Sequence, residues 1–411
     1  MRSISARSSR LTSGRLFRVL SVTIPLVLLL ALLAPKVSLA DSVTSTVTVG
    51  SNPEGVAFDP ANGNLYVANS GAGTVSVIDG STNTVVTTVT VGSGPDRIAF
   101  DPTNGNLYVA NYGSGTVSVI AGSTNTVAAS VTVGTHPEGV AFDPTNGHLY
   151  VANFGAGTVS VIDGSSNTVV ATVTVGVYPI AVAFDQTNGH LYVGNEGSGT
   201  LSVIDGSTNA VVANVTVGTN PEGIAFDPTD GNLYVANKGS GTVSVVSGST
   251  NSVIANVTVG SQPYAVTFDS TNGNLYVTNS YSRSVSVIDG STGTVVSTVS
   301  VGIGPDGAAF DSTNGDVYVA NYSSNSVSVI TPSSSTSSTT STTPTTTSTL
   351  PTTSNTPTTS LTTPASSTSS STSSTTTGIP EFPAELGLAL LVALVIVVAY
   401  VFARRGPKIG K

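Results

Sequence analysis

The chain has 411 residues, no cysteine, only 9% charged side chains and a net charge of −9. Between Asp41 and Ile330 there are 20 acidic residues against three basic ones, Arg97, Lys238 and Arg283. Disulfide frameworks, thiolate metal sites and Cys nucleophiles are excluded, and so strong an acidic excess repels nucleic-acid backbones.

At the N-terminus Arg2, Arg7, Arg10, Arg15 and Arg18 precede an apolar run from Val19 to Leu33, and Ser38-Leu39-Ala40 supplies small residues for cleavage. This pattern predicts a secretory signal over 1–40, cut before Asp41, with an uncleaved anchor as the alternative. Export places the rest of the chain outside the cell.

From Asp41 to Ile330 one unit repeats. Tyr66, Tyr108, Tyr150, Tyr192, Tyr234, Tyr276 and Tyr318 recur at a spacing of 42 residues without insertion or deletion. A strand-rich period of this length predicts a β-propeller with one blade per repeat, hence an all-β fold of seven blades over 41–330. Each repeat reads as four antiparallel strands. In the first, Gly55–Phe58 ends at Asp59-Pro60, and Asn62-Gly63 is expected to supply the positive φ angles of a tight hairpin. Asn64–Asn69 then places Leu65 and Val67 on one face, Tyr66 and Ala68 on the other. Thr74–Ile78 follows, Asp79-Gly80 turns the chain, and Thr84–Val91 is a Val/Thr strand. The last repeat stops after three strands at Ile330, whereas Val43–Val49 matches segment 85–91. The N-terminal strand is therefore expected to complete the final blade and close the ring.

The Tyr-Val-Ala-Asn segment, preceded by Pro-Glu-Gly-Val-Ala-Phe-Asp and followed by Thr-Val-Ser-Val-Ile-Asp, resembles the YVTN family of β-propeller repeats across 43–330, about 70% of the chain. Only Val277-Thr278-Asn279 carries the family's Thr literally; the other copies have Ala or Gly. The resemblance implies a propeller and a surface-layer-like location in archaea rather than a particular chemistry.

Residues 331–377 are almost wholly Ser, Thr and Pro. Such a segment lacks the apolar surface to offset its ordering entropy and reads as an extended, O-glycosylated stalk. At roughly 3 Å per residue it would reach on the order of 100 Å. Leu386–Ala403 is then uninterrupted and apolar, about 27 Å as a helix and so long enough to span a bilayer. Arg404, Arg405, Lys408 and Lys411 behind it predict a cytoplasmic C-terminus. The tail 378–411, opening Gly378-Ile379-Pro380-Glu381-Phe382-Pro383, resembles PEF-type sorting signals of archaeal surface proteins, which implies trimming and transfer to lipid; a permanent transmembrane helix is the other outcome.

Comparison of the seven copies separates scaffold from site. Phe58-Asp59, Tyr66-Val67 and Asn69 recur in every blade, and Asp59 reads as an Asx-type cap of the hairpin turn. Variation gathers in two loops expected to share one face. One carries Asn52, Gly94, His136, Tyr178, Asn220, Gln262 and Gly304, followed after its proline by Glu54, Asp96, Glu138, Ile180, Glu222, Tyr264 and Asp306. The other opens with Ser70, Tyr112, Phe154, Glu196, Lys238, Ser280 and Tyr322. The predicted ligand face thus comprises Glu54, Asp96, Glu138, Glu222 and Asp306 with His136, Tyr112, Phe154, Tyr178, Tyr264 and Tyr322.

Five carboxylates round a narrow mouth repel one another unless hydrated, protonated or paired with a cation, so a Ca²⁺ at Glu54, Asp96, Glu138, Glu222 and Asp306 is one expectation and a solvated rim the other. His136, His148 and His190 lack the convergence that zinc needs. Sequons lie at Asn214, Asn256 and Asn321.

The leading expectation is a non-enzymatic cell-surface propeller for adhesion, envelope structure or ligand binding, with an envelope component or an extracellular polymer or protein as partner. A polysaccharide module would stack sugars on the rim aromatics. The alternative is an extracellular metal-dependent hydrolase or lyase of the gluconolactonase-like propeller type, using Glu54, Glu138 and Glu222.

Overall fold

A computed structural model describes residues 40–333. The expected signal, the Ser/Thr stalk beyond Ser333 and the C-terminal tail lie outside the described residues. Among the described residues no helix is long and apolar enough to cross a membrane.

Seven four-stranded antiparallel sheets form the blades. In the first, strands Pro53–Asp59, Asn64–Asn69, Thr74–Asp79 and Thr84–Thr90 follow one another from the ring centre outward. The innermost strands of successive blades lean against each other all the way round, the last against the first.

Closure is made as the sequence predicts. Strand Ser42–Thr48 pairs antiparallel with Ser326–Thr331, with Val43 opposite Ile330 and Val47 opposite Val327. The final sheet therefore takes its outer strand from the opposite end of the chain, which removes the free edge that a three-stranded blade would present.

Each second strand is buried on both faces because blades stack sheet against sheet. Leu65 and Val67 pack with Tyr318 and Ala320 of the last blade, while Tyr66 and Ala68 pack with Leu107 and Val109 of the second. This explains why the strand reads apolar throughout rather than alternating. The tyrosines are fully buried, and their hydroxyls need partners in the next blade. Tyr66 Oη donates to Asn125 Oδ1 at 2.7 Å and receives Asn62 Nδ2 at 3.0 Å. Asn69 is equally buried and donates through Nδ2 to Thr74 Oγ1 (3.2 Å) and Ser76 Oγ (3.0 Å).

The turns differ from expectation in one respect. Asn62 does not take a positive φ; Gly63 does, at 74°. The hairpin is a four-residue loop in which Gly63 N donates to Asp59 O at 2.9 Å and Ala61 N to Asp59 Oδ1 at 2.9 Å. That leaves Asn62 to act through its side chain, which also reaches Gly122 O of the next blade at 3.1 Å. Likewise, after Asp79 the left-handed position is Asn83 (φ 56°), not Gly80. The glycine there answers to crowding: at its equivalent Gly122, a Cβ would lie 2.7 Å from Asp59 Oδ2 of the preceding blade.

Candidate functional site

The two variable loops of each blade are joined by backbone hydrogen bonds. Ser70 N donates to Asn52 O at 2.9 Å, Phe154 N to His136 O at 2.9 Å and Lys238 N to Asn220 O at 2.8 Å. Asn52, His136, Tyr178, Asn220 and Gln262 hold left-handed φ values of 51–54°, and glycine stands at the same place in the other blades. This bend aims the residue after each proline at the channel. Both loops thus share one end of the ring, while the repeated Asx-capped turns occupy the other, with His148 and His190 half-buried beside them.

The channel mouth is a cavity of about 430 Å³. Glu54, Asp96, Glu138 and Glu222 line it, together with Tyr112, Phe154, Tyr264 and Tyr322. Asp306 is half-buried beside them, outside the lining, and its charge acts on Glu54 and Tyr264. His136 and Tyr178 stand one step out on the rim. His136 stacks on Tyr112 at 4.4 Å and Tyr178 on Phe154 at 4.7 Å, with Tyr112 and Phe154 themselves 6.4 Å apart. Four rings from three adjacent blades therefore form a continuous aromatic strip.

Two cations complete the mouth: Lys238, from a loop the sequence already placed on this face, and Arg97, which sequence reasoning did not place there. Lys238 Nζ lies 2.7 Å from Glu222 Oε1 and 4.9 Å from the centre of the Tyr264 ring. Arg97 starts in the second blade and crosses the channel to donate through Nη2 to Glu222 O at 3.3 Å, its guanidinium 5.4 Å from the Tyr264 ring centre. It forms part of a second cavity of about 110 Å³ deeper in the channel, so it acts as a floor between the two. A signal was available: Arg97 stands where the other blades have Gly55, Gly139, Ala181, Gly223, Ala265 and Gly307.

Burial dominates the electrostatics. It pushes Glu54 up to about 10, with the charges of Asp96 and Asp306 adding to the effect. Glu138 rises to about 9 through burial and then the Asp96 charge. Asp96 and Asp306 are also raised by burial, with Arg97 opposing. Burial raises Glu222 too, against the pull of Lys238. Burial works against the charge of Arg97, but Tyr264, Asp96, Asp306 and Glu222 outweigh it and keep the guanidinium cationic. Burial, reinforced by the charges of Asp96 and Asp306, thus keeps Glu54 in its protonated form near neutral pH.

The calcium expectation named five of these carboxyl groups. Among the described residues no three Asp, Glu or His side chains converge as a metal requires. The carboxyls of Glu54, Asp96, Glu138, Glu222 and Asp306 are spaced round the mouth, and Arg97, Lys238 and bound protons relieve their repulsion. The sequons also separate. Asn214 and Asn256 are exposed on outer strands. Asn321 is fully buried, its Nδ2 donating to Ser326 Oγ (3.3 Å) and Ser328 Oγ (2.9 Å), so the folded ring leaves it no room for a glycan.

Residues 38–209 match the family model described as lactonase, 7-bladed beta-propeller. No curated protein matches the chain. Among solved structures, the hydrazine synthase of Kuenenia stuttgartiensis is similar in fold, with a TM-score of 0.58 and 21% identity over 72% of this chain and 98% of that one.

Proposed function

We propose that the chain is a non-enzymatic, ligand-binding propeller displayed at the cell surface, capturing a small polar solute or the end of an envelope polymer at its channel mouth. The observation that carries this reading is the asymmetry of the ring. One end holds a cavity of about 430 Å³ lined by carboxyls and aromatic rings, whereas the other repeats the same capped turns. Concave sites with a few convergent polar groups and shifted ionisation are where ligands bind. The N-terminal signal, Ser/Thr stalk and basic-ended apolar tail of the sequence support the display. A glycan array probed with the full-length protein in detergent tests the reading. Binding lost in Tyr112→Ala and Phe154→Ala supports it, and silence across sugars and small solutes removes it.

The second reading is a hydrolase acting on a sugar lactone. It is favoured by the lactonase-type match and by a carboxyl held protonated at Glu138 near the ion-paired Glu222, an arrangement that can divide acid and base roles. Opening the ring would add water to the carbonyl and return a proton to the departing ring oxygen, a task for Glu138. Turnover of glucono-1,5-lactone that disappears in Glu138→Gln would establish this reading over the first.

A further inference from the structure

Resting on the reading of the mouth as a ligand site, we propose that its ligand carries a primary alkylammonium group, seated in the half of the mouth formed by Glu54, Asp96 and Glu138. The two halves of the cavity are chemically alike in their walls and unlike in their filling. In one, Glu222 and Tyr264 hold the Lys238 ammonium, 2.7 Å from the carboxylate and 4.9 Å from the ring centre. The chain thereby shows what such a wall binds: a cation placed between an acid and an aromatic face. In the other half, Glu54, Asp96 and Glu138 stand with Tyr112 and Phe154, and no lysine reaches them. Arg97 acts on Asp96 and Glu138, but its Nη2 reaches across the channel to Glu222 O, with Nε left unpartnered among the described residues.

One carboxyl group points to a missing donor. Glu138 is 7% exposed, lines the cavity, and its carboxyl makes no hydrogen bond among the described residues. A buried polar oxygen left unpaired is destabilising, so an acceptor kept in this state beside an open cavity suits an incoming N–H. The donor is cationic because the groups facing Glu138 are Asp96, Glu222 and Glu196, with Arg97 alone opposing them. A neutral hydroxyl would only satisfy the oxygen, whereas a cation can also take the place of the protons that relieve the repulsion. A divalent metal needs a convergence of ligands that these side chains do not make. A primary ammonium needs only acceptors spaced round it, and it brings three donors.

Calorimetry on the full-length protein in detergent at pH 7.5 tests this with butane-1,4-diamine and its uncharged counterpart butane-1,4-diol. The diamine should bind at least tenfold more tightly. Its heat should change with the ionisation enthalpy of the buffer, because the ammonium displaces protons from the carboxyl groups. Glu138→Gln should weaken diamine binding at least tenfold. Glu54→Gln is the second variant, and a cooperative melt for each shows that the fold survives. Equal affinity for diol and diamine, or full diamine binding in both variants, overturns the inference. If neither compound binds while the array yields a sugar ligand, the amine is wrong and the ligand site stands. Silence in both experiments removes both.

Discussion

Tyr318 in the last blade donates its hydroxyl to Asn83 Oδ1 in the first, 2.7 Å away and separated by 235 residues of sequence. The same bond joins Tyr66 to Asn125 and Tyr192 to Asn251, so the ring is closed by the contact that fastens its other neighbours. Where Gly293 replaces that asparagine, Tyr234 turns to Asp230 Oδ2 of its own hairpin at 3.1 Å.

Tyr318→Phe keeps the ring packing and removes this bond. The expected loss is about 1 kcal/mol. In a domain of this size that corresponds to a fall of about 2–4 °C in Tm. Scanning calorimetry on the matched pair checks it, and an unchanged Tm would show that the hydroxyl carries no net stability.

Deleting residues 41–50 removes the outer strand of the final blade and uncovers Val327 and Ile330. Loss of the packed Val43, Val47 and Val49 is worth on the order of 5 kcal/mol. The truncated chain should melt about 10–20 °C lower and associate through the exposed edge. Thermal melts with light scattering decide the outcome.

Stability should fall as pH rises from about 5 to 9. Folded Glu54 and Glu138 keep their protons up to about 10 and about 9, whereas the unfolded carboxyls titrate from 4.5. Between those limits the native state binds more protons than the unfolded one, and the slope of stability with pH is negative. A net loss of about 2 kcal/mol would lower Tm by about 4–8 °C. Glu138→Gln should flatten the profile, which urea titrations at several pH values will show.

Arg97→Met should cost about 3 kcal/mol at pH 8, because Asp96, Asp306 and Glu222 lose the cation that faces them. The penalty should shrink at pH 5, because burial raises all three carboxyls and lower pH favours their protonated forms. An equal penalty at both pH values would assign the effect to packing instead.

Glycopeptide mapping of chain secreted from a glycosylating host should find sugar at Asn214 and Asn256 and none at Asn321. Modified Asn321 in folded protein would contradict its buried hydrogen bonds to Ser326 and Ser328.

The 42-residue spacing, the Asx caps at Asp59 and its equivalents, and the missing outer strand were all legible in the sequence. Each is local or repeats at a fixed interval, and each leaves the same mark in every copy. The face of the site was legible for the complementary reason: its loops are where the copies diverge. Tertiary structure alone decided the rest. Glu222 lies 125 residues beyond Arg97, and the two meet only because a closed ring carries blades 2 and 5 to one channel. Gly80 answers to a carboxylate from the last blade, and Asn321 spends its amide inside its own. Pattern along a chain records the bonds that each repeat makes for itself. Which unlike side chains share one small cavity, and which of them hold a proton there, follows from the distances that closure imposes.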